Sequence, residues 1–302
     1  MKSSYRIGTI WGIPLKIHIS LFILLAYISV HAFIASVQEY GILGGLFAVG
    51  AVIILQTCIF ASIGLHELGH SFVAIRKGCK VREITLMIIG GAAVMENIPR
   101  RPRDEFTMAI AGPAVSATLA TLLGLLALRF PIQEEATGVA AWIAILFFFT
   151  ALANGVLALF NLLPAYPMDG GRMLRAMLSP KLGRLRATRI AMLAGQALAL
   201  VIGFIAIRGI PPWFRPWNLP LLLIAGFVFI TGKREYRQIQ IETLMEQRGF
   251  AKFFGSGLHE TREAPPLDDH TVLISPPPYQ RGPADRAHIE KLPKRRFTFF
   301  GL

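Results

Sequence analysis

Six stretches of this chain carry almost no charge, and they limit it to folds that a bilayer can hold. They run near Ile19–Val37, Gly41–Leu65, Phe106–Leu128, Gly138–Leu163, Ile190–Ile207 and Trp217–Thr231. A crossing helix needs about 20 apolar residues, and lipid offers backbone groups no partner, so each run is predicted to be a helix. The last is the weakest, being short and interrupted by Pro220. A chain that is 54% apolar and only 16% charged, with mean hydropathy +0.54, fits the same class. The expectation is an all-α polytopic membrane protein of about six transmembrane helices. No cleavable signal peptide is expected, because the first run is too long and lacks a small-residue cleavage site.

The net charge of +13 does not point to nucleic acid, because of where the charges fall. Lys2, Arg6 and Lys16 precede the first run, and seven basic residues separate runs two and three. Six more separate runs four and five, and twelve follow run six, together 28 of the 31. Only Arg129, Arg208 and Arg215 lie in the alternate loops. This positive-inside pattern predicts a multi-pass protein of the cell membrane with both termini cytoplasmic. Cys58 and Cys79 suggest no disulfide framework; Cys58 is read as a packing residue, with a soft metal ligand as the weaker reading.

Between runs two and three, Val81–Ile89 favours strand, Gly90-Gly91 can turn the chain, and Ala92–Glu96 can return. A small membrane-associated β-hairpin or sheet is predicted there. Gly112, Ser116, Ala120 and Gly124 recur at steps of four, a stripe read as helix packing, and Pro113 is placed near its helix start. Residues 1–232 are read as the membrane domain, 233–254 as an amphipathic cytosolic helix and 255–302 as a disordered cytosolic tail. Pro277-Pro278-Tyr279 in that tail is a weak match to proline-recognition ligands.

The chemistry begins at His66-Glu67-Leu68-Gly69-His70, at the inner end of the uncharged run from Gly41. Histidines at i and i+4 share a helix face and can grip one metal ion, with the glutamate beside them. Ionisable groups there are costly without partners, which marks a functional site. A catalytic zinc site takes three protein ligands. His18 and His31 lie at the start of and within run one, and Glu134 and Glu135 are external, so Asp169 is the third ligand expected at matching depth. Pro164 and Pro167 prevent a continuous helix before it, and Gly170-Gly171 allow a sharp reversal beside the ion. The competing reading pairs Asp169 with Arg172 or Arg175. Glu67 points about 100° away from His66 around the helix. It is therefore assigned the role of base, taking the proton of a metal-held water.

With these residues in place, the sequence resembles the site-2 protease family of intramembrane zinc metalloproteases. His66–His70 matches its HExxH motif, and Asn161 through Gly170 matches its second signature, with Met168 where leucine is usual. Gly90-Gly91 and Ala111-Gly112-Pro113 are similar to further family features. The resemblance covers residues 5–231. It implies one Zn2+ per chain and cleavage of a membrane-spanning substrate segment near the cytosolic face. It also implies that Asn161 holds substrate or the oxyanion, and that a strand at Gly90-Gly91 pairs with an extended substrate. Ser116 stands where the family often has asparagine, which weakens a polar role there. No PDZ-like insert or paired CBS domains are read, leaving regulation to a separate partner, the tail or substrate supply. Two alternatives remain at this point. One is a non-proteolytic metal-binding scaffold; the other is a protease acting outside the bilayer with Glu242 or Glu246 as ligand.

Overall fold

The computed structural model describes residues 4–88, 90–96, 101–130, 139–210, 216–247 and 297–300. Residues 1–239 with 297–302 form one unit and residues 240–296 another; the sheet, the bundle and the candidate site lie in the first. In chain order come β1 (Ser4–Ile10), β2 (Ile13–His18), α1 (Ile19–Arg76), β3 (Lys80–Met87) and β4 (Gly90–Glu96). Then follow α2 (Pro102–Ala127), α3 (Val139–Leu162), α4 (Asp169–Leu182), α5 (Arg184–Arg208), α6 (Leu219–Gln247) and β5 (Phe297–Phe300).

Among the described residues, α1, α2, α3 and α5 are long and apolar enough to cross a membrane. The protein is mostly helical and multi-pass. α1 holds the first two predicted runs, broken at Gly41, whose φ of 70° suits glycine. A Cβ on Gly45 would lie 3.4 Å from the carbonyl oxygen of Phe33. In a straight helix twelve residues span about 18 Å, so the chain folds back here. Pairing of β2 with β3 agrees, since it puts both ends of α1 on one side. Large side chains point outward: Leu43 and Leu128 are each 81% exposed, while Ala144, Ala187 and Ala191 are fully buried. Without water there is no hydrophobic drive between helices, so small residues that let backbones approach form the interior.

α6 begins with Pro220 in its first turn, where a missing N–H costs nothing, and Asn218 Oδ1 accepts from Leu221 N at 3.0 Å. Pro220 therefore starts this helix instead of interrupting it. α6 continues unbroken through Lys233 to Gln247, and residues 248–254 lie outside the described residues. Of the segment read as a disordered tail, residues 297–300 form β5; residues 255–296, including Pro277-Pro278-Tyr279, lie outside those described. Glu134 and Glu135, expected on the external side, lie outside them as well.

The sheet is larger than the predicted hairpin, with order β1-β2-β3-β4-β5. β1 and β2 form an antiparallel hairpin through Trp11 and Gly12, both at positive φ, a turn whose twist suits two-residue hairpins. β2 runs parallel to β3, β3 antiparallel to β4, and β4 antiparallel to β5. Lys16 bridges to Glu83 at 2.5 Å, and Arg82 pairs with Glu96. Ile13, Ile84, Ala93 and Met95 seat the sheet on Leu68 and Ala74 of α1 and Met108 of α2.

A candidate metal centre

His66, Glu67 and His70 occupy the returning arm of α1, all fully buried. Asp169 is the first residue of α4, buried as well, and its charge sits favourably at a helix N-terminus. α3 ends at Leu162, two residues before Pro164, and Pro167 completes the break. Tyr166 N donates to Ala191 O of α5 at 3.1 Å, tying the broken segment to the bundle. Gly170 and Gly171 do not reverse the chain; they lie in the first turn of α4. Their role is close approach. A Cβ on Gly170 would stand 2.4 Å from the carbonyl oxygen of Leu162, and one on Gly171 2.6 Å from the carbonyl carbon of Ala165.

Three atoms converge. His70 Nε2 lies 3.2 Å from His66 Nε2 and 3.1 Å from Asp169 Oδ2, and His66 Nε2 lies 3.3 Å from the same oxygen. His70 Nδ1–H donates to the carbonyl of Met108 at 2.7 Å, which turns the Nε2 lone pair toward Asp169. His66 Nδ1 meets Ser116 Oγ at 2.9 Å, and donation to that oxygen does the same for its ring. Such outer hydrogen bonds fix tautomer and ring orientation at metal sites. Burial alone would raise the pKa of Asp169, but the adjacent His70 and His66 hold its carboxyl below the usual range.

Zinc bound tetrahedrally at about 2.0–2.1 Å has ligand atoms about 3.3–3.4 Å apart. The observed triangle fits within a few tenths of an ångström, and lone pairs facing one another are repulsive without a cation between them. His66, His70 and Asp169 are the one such ligand group found among the described residues. Neither cysteine belongs to it, nor does Glu242. Of the two alternative partners for Asp169, Arg172 and Arg175, the second is engaged elsewhere: Arg175 donates from Nε to Glu105 Oε1 at 2.6 Å and reaches Glu235 at 3.3 Å. This buried cluster ties α4 to α2 and α6, beneath the Tyr166 ring.

Glu67 lies beside the triangle and is not in it. Both its oxygens are buried without a hydrogen-bond partner among the described residues. Gly91 of β4 packs against it so closely that a Cβ there would be 3.0 Å from Glu67 Oε1. Gly90, at φ 128°, opens that strand in a conformation glycine favours. Asn161 is fully buried near the end of α3.

The small-residue stripe does more than pack. Gly124 and Ala120 meet Ala151 and Gly155 of α3 at ordinary contact, as predicted. Gly112 instead faces the histidines: a Cβ on it would lie 2.6 Å from His66 Nε2 and 2.7 Å from His70 Cε1. Ser116 carries the polar contact that the sequence comparison had discounted, because a hydroxyl is long enough to meet His66 across this narrow gap. Pro113 lies inside α2, which starts earlier than predicted, at Pro102. These features, Met108 and the Arg175 cluster were missed. Glu105 at the edge of an apolar run was the available signal.

The fold and the His66, His70 and Asp169 triangle beside a glutamate define a multi-pass membrane protein with a candidate metal site. Residues 54–138 and 124–202 match the family description "Peptidase family M50". A zinc metalloprotease of Methanocaldococcus jannaschii is 35% identical over 246 residues, 82% of this chain and 64% of that protein. A putative zinc metalloprotease of Synechocystis is 31% identical, over 82% of this chain and 63% of its own length. The solved site-2 protease from Methanocaldococcus jannaschii is similar at TM-score 0.54 and 35% identity, covering 77% of this chain and 95% of that one. This chain belongs to the site-2 protease family, peptidase family M50, a family of metalloendopeptidases. It spans less than two thirds of the length of these two curated relatives, 64% and 63%.

Proposed function

We propose that the protein is a zinc-dependent intramembrane endopeptidase that cuts a transmembrane segment of a membrane-anchored substrate near the cytosolic face. The observation that carries this reading is the triangle of His66, His70 and Asp169 with the unpartnered Glu67 carboxylate beside it. His66 Nε2, His70 Nε2 and Asp169 Oδ2 would hold the ion. A zinc ion there supplies Lewis acidity and lowers the pKa of nearby water toward about 7.

Glu67 takes a proton from the water attacking the scissile carbonyl. As the C–N bond breaks, it returns that proton to the departing nitrogen. Asn161 donates a hydrogen bond to the oxyanion that develops on the carbonyl. Gly90 and Gly91 keep the β4 backbone close enough to Glu67 for an extended substrate to be presented there. Pro164, Pro167 and Gly170 hold the chain break that delivers Asp169.

The topology proposed with this function has six crossings. Two lie in α1 and one each in α2, α3, α5 and the first half of α6. The termini and the metal centre face the cytoplasm of the cell membrane, as the distribution of basic residues suggests. Residues 1–232 form the protease domain.

Replacing Glu67 with Gln tests the reaction. The variant should keep its zinc while cells carrying it accumulate uncut membrane stubs in fragment proteomics. Retained cellular function with zinc bound and no stub would instead establish a non-proteolytic metal scaffold.

A further inference from the structure

β4 is the strand nearest Glu67, and β3 occupies one of its edges. The opposite end of the sheet is β1, three strands away. An extended chain approaching Glu67 by strand pairing therefore has one edge to use, the outer edge of β4. That edge is filled. β5 runs antiparallel along it with Ala92 opposite Phe300, Ala93 opposite Phe299, Val94 opposite Thr298 and Met95 opposite Phe297. The pairing stops one residue short of Gly91, the residue packed on Glu67.

The sequence of the occupant suits the role. Phe297-Thr298-Phe299-Phe300 is aromatic and β-branched throughout, the composition that favours strand. The need for an occupant is physical as well. Unpaired strand edges are templates for foreign chains, and open edges do not occur in contact with lipid.

On the protease reading above, we infer that residues 297–300 are a resident competitor of substrate: the chain's own strand holds the substrate's edge of β4 and must leave before cleavage. Being covalently linked, this competitor is not lost on dilution. The displaced strand also marks how substrate binds, antiparallel to β4, with its scissile bond carried past Ala92 toward Gly91 and Glu67.

The test uses the full chain in detergent, loaded with zinc. One form is opened by Thr298→Pro with Phe299→Pro, since proline cannot donate to a strand ladder. Another is closed by a Val94→Cys, Thr298→Cys disulfide in a background lacking Cys58 and Cys79; Val94→Cys with Phe299→Cys is the off-register control. Hydrogen exchange at Ala92–Met95 should quicken about tenfold or more in the open form, because its amides lose cross-strand partners. The in-register pair should crosslink and the off-register pair should not.

Two probes then read the edge: the peptide hydroxamate acetyl-Ala-Phe-Thr-Phe-NHOH, and acetohydroxamate, which is too short to reach β4. The peptide probe should bind the open form about tenfold tighter than wild type and the closed form about tenfold more weakly. Acetohydroxamate should not distinguish the three. Unchanged exchange, or peptide affinities within twofold across all forms, overturns the proposal. If neither hydroxamate binds any form, the competition falls together with the metal centre, and altered exchange would show that β5 still seats on β4. Binding that shifts as stated in a protein that cleaves nothing would refute the protease reading and leave the strand exchange standing.

Discussion

Gly112→Ala adds one methyl group at the most crowded point of the centre, and its effect can be worked from the geometry. The new carbon would lie 2.6 Å from His66 Nε2 and closer still to His70 Nε2, whereas ordinary contact begins near 3.4 Å. The His66 ring must retreat by about 0.8 Å and the His70 ring by about 1.2 Å, while metal–ligand distances tolerate only about 0.2 Å. His66 and His70 cannot make that move and keep their bonds to Ser116 and the Met108 carbonyl. Disturbing outer hydrogen bonds alone weakens metal binding by about 10–100-fold. The direct clash should cost at least about a hundredfold, roughly 2.7 kcal/mol. Helix propensity works in the opposite direction, since alanine is favoured over glycine by about 1 kcal/mol. The variant should therefore fold and lose zinc. Chelator competition on purified protein reads the affinity, and circular dichroism reads the helix content. Gly124→Ala is the control, because its Cβ would meet Ala151 at an ordinary 3.9 Å. Wild-type zinc affinity in Gly112→Ala would refute this reading of the histidine geometry.

Other expectations follow from the same contacts. Ser116→Ala should lower zinc affinity about 10–100-fold by freeing the His66 ring, and Ser116→Asn should recover part of it; equal affinities in all three would remove Ser116 from the centre. Glu105→Gln removes the nearer of the two carboxylates on Arg175, leaving Glu235, and should destabilise the bundle by about 1–3 kcal/mol, read as a lowered thermal midpoint. Replacing Glu105 and Arg175 together with apolar residues should cost less than the single change, and an equal or larger loss would argue against a buried-charge origin. Zinc at a hundred times its dissociation constant should stabilise the protein by about 2.7 kcal/mol, an increment that chelation removes and that His66→Ala lacks.

Much of the centre was legible because its chemistry is local. His66, Glu67 and His70 share about one helical turn, and their spacing alone places two candidate ligands with a carboxylate beside them. Asp169 could be found because few carboxylates reach the same depth. The closing contacts were not legible, because they are distances between helices. Nothing in a stripe of small residues says that Gly112 and Ser116 serve histidines while Ala120 and Gly124 serve α3. The glycines after Asp169 were read through backbone freedom, when close packing against carbonyls was the real constraint. β1 and β2 are not legible in the sequence, where Ser4–His18 reads as a segment with basic residues ahead of the first uncharged run. Alternation around Trp11-Gly12 was present, but its partner, β3, lies beyond a 58-residue helix.

That separation governs the order in which the protein can be made. β2 is made before β3 and cannot pair with it until the 58 residues of α1 between them have folded back. Loop closure over such a distance is entropically slow, so the sheet is a late event. The returning arm that completes the detour is the one carrying His66, Glu67 and His70. Closing the sheet and setting β4 against Glu67 therefore depend on the same return of the chain. A chain whose first hairpin fails to return leaves β3 stranded from β2, and the glycine lid of β4 never settles over Glu67.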